Sequence, residues 1–158
     1  MHGGAVPAFL ILSKQQIMKD SLKPGLLHTF QFRIPANKTV PHLYPESDLF
    51  RDMPEVLATG FMVGLMEWAC VDALRPYLDW PAEQTLGTHV SFSHEAATLP
   101  GMTVTVKVRL TQIDGRKLRF EVEADDGVDI ISRGSHERCL IDAVRFREKI
   151  AKKSRLVL

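Results

Sequence analysis

The sequence predicts an α+β domain in which one curved, antiparallel, five-stranded sheet wraps around a single long helix. Two observations support this prediction. Residues 54–74 carry a long helical pattern that is apolar on almost every side, so other parts of the chain must cover most of its surface. Five extended segments accompany it, one before and four after, and several of them alternate apolar and polar residues as half-buried strands do.

The elements up to the end of the helix are a strand, a long loop and the helix itself. Residues 26–35 form the first predicted strand, which a proline ends. Residues 36–53 hold two further prolines and no sustained period, so they are predicted to form a loop, and loops of this length are often lids or binding elements. Pro54 suits the first turn of the helix, whose pattern continues to Leu74.

Four strands and a final helix are predicted after the long helix. In the first strand, residues 88–96, the alternation places Val90, Phe92 and His94 on one face, which we expect to point toward the helix. The later strands are predicted at residues 103–110, 117–124 and 128–141, with a hairpin turn at Asp114-Gly115. The tail, residues 142–156, is predicted to form a basic surface helix.

A strongly curved sheet folded around one helix is the hotdog fold, and the predicted order of elements agrees with it. Strands this short, packed on one helix, rarely bury all of their apolar surface within one chain. We therefore expect two copies to associate edge to edge as a homodimer.

Length and composition limit the class of protein. A chain of 158 residues with 45% hydrophobic residues most simply forms one domain with an ample core, predicted here at residues 18–158 after an N-terminal extension at residues 1–17. A net charge of +1 gives no electrostatic case for binding nucleic acid or an anionic membrane. Cys70 and Cys139 fit no metal or redox spacing, and the apolar run near the N-terminus is too short for export or membrane spanning. These features predict a cytoplasmic protein.

Glu67 is a single carboxylate within the apolar helical stretch "ATGFMVGLMEWAC". Its neighbours three, four and seven positions away cannot pair with a charge: Gly60, Val63, Gly64, Cys70, Val71 and Leu74. Because an unpaired buried carboxylate is destabilising by several kcal/mol, we expect either a partner elsewhere in the chain or a chemical use for this group.

The run "HLYPESDLFRDMPEVLATGFMVGLMEWACVDALRPYL" closely resembles the fluoroacetyl-CoA thioesterase family of hotdog hydrolases. The similarity continues through "SHEAATLPGMTVTV", "DGVD" and "SHER" and covers residues 18–150. The resemblance implies an enzyme that hydrolyses a small acyl-CoA thioester, with CoA as part of the substrate and no separate cofactor. Gly87, also within the similar region, falls on the family's oxyanion-binding glycine, and Arg138 on the arginine of its last strand.

The resemblance also places the family's catalytic threonine, glutamate and histidine at Thr59, Glu67 and His94. Each residue has a plainer interpretation from the sequence alone. Glu67 could be a structural partner of Arg138, His94 a satisfied core histidine, Thr59 a helix cap and Gly87 a turn glycine. In the catalytic interpretation the carboxylate acts as base or nucleophile, the histidine moves a proton, and the glycine N–H faces a developing oxyanion.

The predicted lid over the acyl pocket consists of Val40, Leu43, Phe50 and Met53. In the family, two phenylalanines close over the acyl group and help to select the fluorinated substrate. The first is kept as Phe50, whereas Met53 occupies the position of the second. Because methionine is longer and more adaptable than a phenyl ring, strict fluoroacetyl selectivity is not expected, unless the exchange merely conserves volume in an apolar loop.

The spacing of Thr59 and Glu67 predicts where the site lies. Eight residues of continuous helix separate them by about 12 Å, too far for contact within one chain. Either the helix breaks near Gly60 or each active site combines residues from two subunits. We expect the second arrangement, because Gly60 and Gly64 on the Glu67 face would allow close approach by a partner.

The sequence therefore predicts a homodimeric hotdog acyl-CoA thioesterase whose partner is a small-molecule substrate. The six histidines show no metal-binding spacing, and phosphate-loop and dinucleotide motifs are absent from the sequence. Two alternatives stay open at this point. One is a non-catalytic acyl-CoA binder or sensor, and the other is a hotdog hydratase acting on enoyl-CoA.

Overall fold

A computed structural model describes residues 18–157, so the predicted N-terminal extension lies outside the described residues. Five strands form one antiparallel sheet with the spatial order β1-β3-β4-β5-β2. The strands are β1 (Leu27–Arg33), β2 (Glu83–Phe92), β3 (Thr103–Asp114), β4 (Lys117–Asp125) and β5 (Ile130–Asp142), and the helices are α1 (Asp48–Arg51), α2 (Thr59–Leu74) and α3 (Ala143–Ser154). Each of these helices is too short or too polar to cross a membrane.

The two central strands follow the alternation in their sequences. Every second residue is buried along β3 (Val104, Val106, Val108, Leu110) and along β4 (Leu118, Phe120, Val122, Ala124). A tight turn joins them, in which Gly115 adopts a φ of +57° that glycine accommodates without strain. The predicted hairpin is thus confirmed, and the apolar face of β3 and β4 forms one side of the hydrophobic core.

Helix α2 packs against this apolar face of the sheet and buries one side of its surface. The buried residues recur at helical spacing: Met62, Leu65, Met66, Ala69, Cys70, Ala73 and Leu74. On the opposite side Gly64 is exposed and Trp68 keeps 49% of its surface accessible, although its ring contacts Phe30 and Phe32 of β1. One chain therefore covers only part of a helix that is apolar almost all round.

The predicted start of the long helix at Pro54 is wrong. Helix α2 begins at Thr59, because the preceding residues are held extended by tertiary hydrogen bonds. The N–H of Leu57 donates to the carbonyl of Thr98 (2.9 Å), and the N–H of Ala58 donates to the carbonyl of Lys38 (3.1 Å). Both Leu57 and Ala58 are fully buried, so these contacts outweigh the local preference for a helix.

The predicted lid, residues 36–53, is a loop with little regular structure. Two 3₁₀ turns and the single-turn helix α1 interrupt it, and Ser47 caps α1 by accepting the N–H of Phe50. The first part of the loop is hydrogen-bonded to the segment before α2, because the N–H of Val40 donates to the carbonyl of Val56 (2.9 Å). The lid therefore lies beside the N-terminal end of α2.

The first strand after the helix also differs from its prediction. Strand β2 begins at Glu83 rather than at residue 88 and ends at Phe92, so His94 lies beyond the strand. Val90, expected to face the helix, is 41% exposed on this edge strand. By contrast, β5 and the basic helix α3 lie close to their predicted positions, and Asp142 caps α3 by accepting the N–H of Arg145.

Candidate active site

Glu67 forms an ion pair with Arg138, which lies opposite it on β5. The Oε1 atom of Glu67 is 3.2 Å from Nη1 of Arg138 and 3.6 Å from Nε2 of His136. The Glu67 side chain is 38% exposed, whereas those of Arg138 and His136 are buried. The expectation that Glu67 points into packed protein is thus corrected: within one chain it lies at an open edge, with a buried cation behind it.

Arg138 is held rigidly by acceptors on neighbouring elements. Its Nε donates to Oγ1 of Thr85 (2.8 Å), its Nη2 to the carbonyl of Thr85 (2.8 Å), and its Nη1 to both Glu67 and Nε2 of His136. Burial lowers the pKa of Arg138, and the nearby Glu67 carboxylate acts in the opposite sense. The guanidinium is therefore a fixed positive charge that sets the position of the Glu67 carboxylate.

His136 supplies one of those acceptors and has a defined tautomer. Its Nδ1 lies 2.7 Å from the carbonyl of His89, which can only accept, so Nδ1 carries the proton. Nε2 then has a free lone pair that accepts the N–H of Arg138 at 2.9 Å. Burial lowers the pKa of His136 and so favours this neutral form. The sequence analysis missed this residue, although its position two residues before Arg138 places both on one face of β5.

Gly87 occupies the point of closest approach between β2 and Glu67. It lies within β2 opposite Arg138, so it is not a turn glycine but part of the strand, whose predicted range of residues 88–96 begins after it. The strand pairing shifts just after this glycine. A Cβ atom here would lie 2.3 Å from Oε1 of Glu67 and 3.1 Å from the ring of His136. A side chain at this position would therefore displace the Glu67 carboxylate. Its predicted role as an oxyanion donor stays a prediction.

Thr59 and His94 form a second pair at the other end of α2. Oγ1 of Thr59 is 2.8 Å from Nδ1 of His94. Thr59 is the first residue of the helix, and its hydroxyl is directed to the histidine rather than serving as the N-cap, which is Ala58. The interpretation of His94 as a core histidine is also wrong, because its side chain is exposed. Backbone hydrogen bonds of Ser93 and Glu95 to β5 hold it in place.

The two pairs do not meet within one chain. Helix α2 is continuous from Thr59 to Leu74, with no break at Gly60, so Thr59 and Glu67 lie about 12 Å apart along its axis. Of the five predicted site residues, the structure brings together Glu67, Gly87 and Arg138 in one group. Thr59 and His94 form the other.

The predicted lid residues differ in their surroundings. Leu43 packs against Gly60, where an added Cβ would be 3.0 Å from the leucine Cδ1 atom. The ring of Phe50 stacks on that of Tyr44 with centroids 6.0 Å apart, and Val40, Leu43 and Phe50 are all half-buried. Met53 is 44% exposed at the end of the loop.

Two further features of residues 18–157 bear on the chemistry: the state of the cysteines and the arrangement of possible metal ligands. Burial raises the pKa of the Cys70 thiol to about 12, so it is not a nucleophile near neutral pH, and neither cysteine forms a disulfide. Within residues 18–157, no group of three or more histidine, cysteine, aspartate or glutamate side chains is arranged to hold a metal ion.

A five-stranded antiparallel sheet packed against one long helix is the arrangement of the hotdog fold. The family model described as fluoroacetyl-CoA-specific thioesterase matches residues 40–144, and the chain belongs to this family. The fluoroacetyl-CoA thioesterase of Streptantibioticus cattleyicolor is 53% identical over 137 residues, which cover 87% of this chain and 98% of that protein.

Two solved structures extend the comparison. A fluoroacetyl-CoA thioesterase structure matches with a TM-score of 0.82 at 52% identity, covering 85% of this chain and 98% of its own. A thioesterase superfamily member from Thermus thermophilus matches with a TM-score of 0.75 at 26% identity, and the match covers 86% of this chain and 96% of that one. The predicted fold and enzyme class, a hotdog thioester hydrolase, are confirmed.

We predict that Gly87→Ala disables the site without unfolding the protein. The added methyl group would push the Glu67 carboxylate away from Arg138, and displacements of about 1 Å at reacting groups lower rates roughly a hundredfold. The measurement is kcat/KM for acyl-CoA hydrolysis, with Thr103→Ala, an exposed residue at the start of β3, as control. Near wild-type activity in Gly87→Ala would show that the close approach is unimportant.

We also predict that His136 makes the protein less stable in mild acid. Its pKa is lowered in the folded state, so just below pH 6.5 the unfolded chain binds a proton that the native state does not. The free energy of unfolding should therefore fall as the pH decreases below about 6.5. His136→Gln, which keeps a donor and an acceptor but does not titrate, should reduce this dependence.

Urea unfolding between about pH 5 and pH 8 measures this effect. His42→Gln is the control, because His42 is exposed on the lid. If the free energy of unfolding of His136→Gln changes with pH as steeply as that of the wild type, the neutral His136 is not a source of the pH dependence.

Proposed function

We propose that the protein is a homodimeric thioesterase of the cytoplasm that hydrolyses short-chain acyl-CoA, with fluoroacetyl-CoA among its substrates. The observation that carries the proposal is the position of Glu67, fixed by the buried cation of Arg138 directly beside Gly87. The 53% identity to a fluoroacetyl-CoA thioesterase supports the choice of substrate. The unpaired thiols of Cys70 and Cys139 agree with a reducing compartment.

In this proposal the thioester carbonyl lies on the exposed side of the Glu67 carboxylate, next to Gly87. The carboxylate attacks the carbonyl carbon or activates a water molecule to do so, and the Gly87 N–H stabilises the oxyanion. In the first route the C–S bond breaks as an anhydride forms between the acyl group and Glu67, and water then hydrolyses this anhydride to the free Glu67 carboxylate and the carboxylic acid. In the second route the oxygen of the water bonds to the carbonyl carbon, the C–S bond breaks and the carboxylic acid forms directly. In both routes the CoA sulfur takes a proton. The Thr59–His94 pair supplies a hydroxyl and an imidazole that can relay that proton. An α-fluorine makes the carbonyl carbon more electrophilic and the α-proton more acidic, so either centre is open to attack.

Two open surfaces support the homodimer. The exposed side of α2 presents Gly60, Gly64 and Trp68, and two of these lack side chains that would hinder close approach. Strand β2 is an edge of the sheet, and its residues 86–91 are exposed, including Leu86 and Val90. Exposed strand edges and apolar helix faces are surfaces that a second copy covers. A two-fold axis at this place would bring Thr59–His94 of one subunit toward Glu67 of the other.

Glu67→Gln tests the proposed chemistry. We expect it to fold and to lose turnover by roughly a hundredfold to a thousandfold, since the amide can neither attack nor accept a proton. Asp72→Asn on the same helix is the matched control, because Asp72 pairs with His28 on a different face. The measurement is free-thiol release from acetyl-CoA and fluoroacetyl-CoA.

Equal turnover in Glu67→Gln would remove this residue from the chemistry. Binding without thiol release by the wild type would instead indicate a sensor. Addition of water to enoyl-CoA without thiol release would indicate a hydratase.

Met53→Phe tests the lid. A rigid phenyl ring in place of the flexible, 44% exposed methionine should sharpen the preference for the fluorinated acyl group by about fivefold. The measurement is the ratio of kcat/KM for fluoroacetyl-CoA to that for acetyl-CoA. Leu49→Phe adds the same ring to an exposed position of the lid and should leave the ratio unchanged. An unaltered ratio in Met53→Phe would contradict a gating role.

A further inference from the structure

Asp126 is a buried carboxylate in the turn "DGVD", residues 126–129, which joins β4 to β5. The ion pairs found among residues 18–157 do not include it. Its Oδ1 atom accepts the N–H groups of Val128 (3.0 Å) and Asp129 (2.9 Å), and these two bonds close the turn. Closing the turn therefore occupies one carboxylate oxygen and leaves the other for a different contact.

The second oxygen of Asp126 binds a part of the chain outside the turn. The Thr98 hydroxyl donates to Oδ2 (3.0 Å), and both side chains are buried. Burial acts to raise the pKa of Asp126, but the hydrogen bonds from Asp129, Val128 and Thr98 outweigh it, so this pKa lies below its usual value. Because the ionised carboxylate can only accept, it fixes the direction of the Thr98 hydroxyl.

Thr98 in turn contacts the segment that precedes Thr59. Its carbonyl accepts the N–H of Leu57 (2.9 Å), a buried residue two positions before Thr59. Thr98 also lies four positions after His94, on the segment that leads from β2 to β3. It thus belongs to the segment that carries His94 and is hydrogen-bonded to the segment that carries Thr59. A shift of Thr98 would therefore move the two members of this pair relative to one another.

We propose that Asp126 is a positioning residue, which holds the Thr59 hydroxyl at Nδ1 of His94 by fixing Thr98 between their two segments. The division of the carboxylate supports this role, because the turn uses Oδ1 alone and the bond from Thr98 to Oδ2 joins two separate parts of the fold. The effect on turnover rests on the proposed thioesterase function, in which the Thr59–His94 pair relays a proton. Since small displacements at reacting groups lower rates strongly, Asp126 can affect turnover without contacting either of them.

Thr98→Val tests this role, because it removes the hydroxyl and leaves the hydrogen bonds that close the turn. We expect kcat for acetyl-CoA to fall by about tenfold, with KM changed by less than about twofold, since the pair acts in proton transfer rather than in binding. Thr98→Ser restores the donor and should restore most of kcat. Thr103→Val, at an exposed position of β3, is the control and should leave kcat unchanged.

Imidazole ¹⁵N spectra give a measurement that a loss of stability alone would not alter. In Thr59→Ala the hydroxyl bonded to His94 is absent, so this variant supplies the reference position of the His94 Nδ1 resonance. Thr98→Val should move that resonance toward the reference position and leave the signals of His136, in the other pair, where they are. A protein that is merely less stable would keep the His94 resonance of its folded form at the wild-type position.

A double-mutant cycle assigns the effect to the bond between Asp126 and Thr98. Asp126→Ala should move the His94 resonance in the same direction, and the combination with Thr98→Val should add nothing further to the effect of Asp126→Ala. Asp129→Ala is the matched control, because this carboxylate belongs to the same turn but is exposed. Thr98→Val keeps the test available if Asp126→Ala does not fold.

A wild-type His94 resonance in Thr98→Val would overturn the proposal, and so would an unchanged kcat or additive effects in the cycle. If the wild type releases no thiol from any short acyl-CoA, the thioesterase function fails. The His94 resonance then decides by itself whether Asp126 positions the pair.

Discussion

The unbroken course of helix α2 is the constraint on which the rest of the structure depends. Thr59 begins the helix and Glu67 follows about two turns later, so the two groups cannot act on one bond within a single chain. Each is paired instead with a residue that follows or belongs to the sheet, Thr59 with His94 and Glu67 with Arg138. In the proposed homodimer, a two-fold axis would bring the Thr59–His94 pair of one subunit beside the Glu67–Arg138 pair of the other. The exposed face of α2 and the exposed edge of β2 would be the surfaces of that proposed association.

Glu67 has a buried positive charge, Arg138, on one side and an exposed surface on the other. Arg138 is buried with its donors satisfied, and a neutral His136 fixes one of them, so the cation cannot turn away from the carboxylate. Glu67 itself stays 38% exposed and can be reached by a substrate. The ion pair itself agrees with the structural interpretation of Glu67, and in the proposed mechanism it would also hold the carboxylate in position to act on the thioester.

Local patterns in the sequence predicted the central part of the fold, and long-range contacts explain where they failed. The alternation along β3 and β4 and the apolar character of α2 follow from burial alone, so both were predictable. The true start of α2 depends on the hydrogen bond from Leu57 to Thr98, two residues far apart in the sequence. The residue types of the site were found through family resemblance. Their pairing, and the part played by His136, arise from the register between β2 and β5, which no local pattern specifies.

Subunit complementation tests the central claim most directly. Co-expressed Thr59→Ala and Glu67→Gln chains, each inactive alone, would form mixed dimers in which one site carries both defects and the other carries none. If each site combines Thr59 of one subunit with Glu67 of its partner, random mixing should restore roughly a quarter of wild-type turnover. If the mixed preparation stays as inactive as its two parents while sedimentation shows dimers, the two half-sites do not combine across an interface and the account is contradicted.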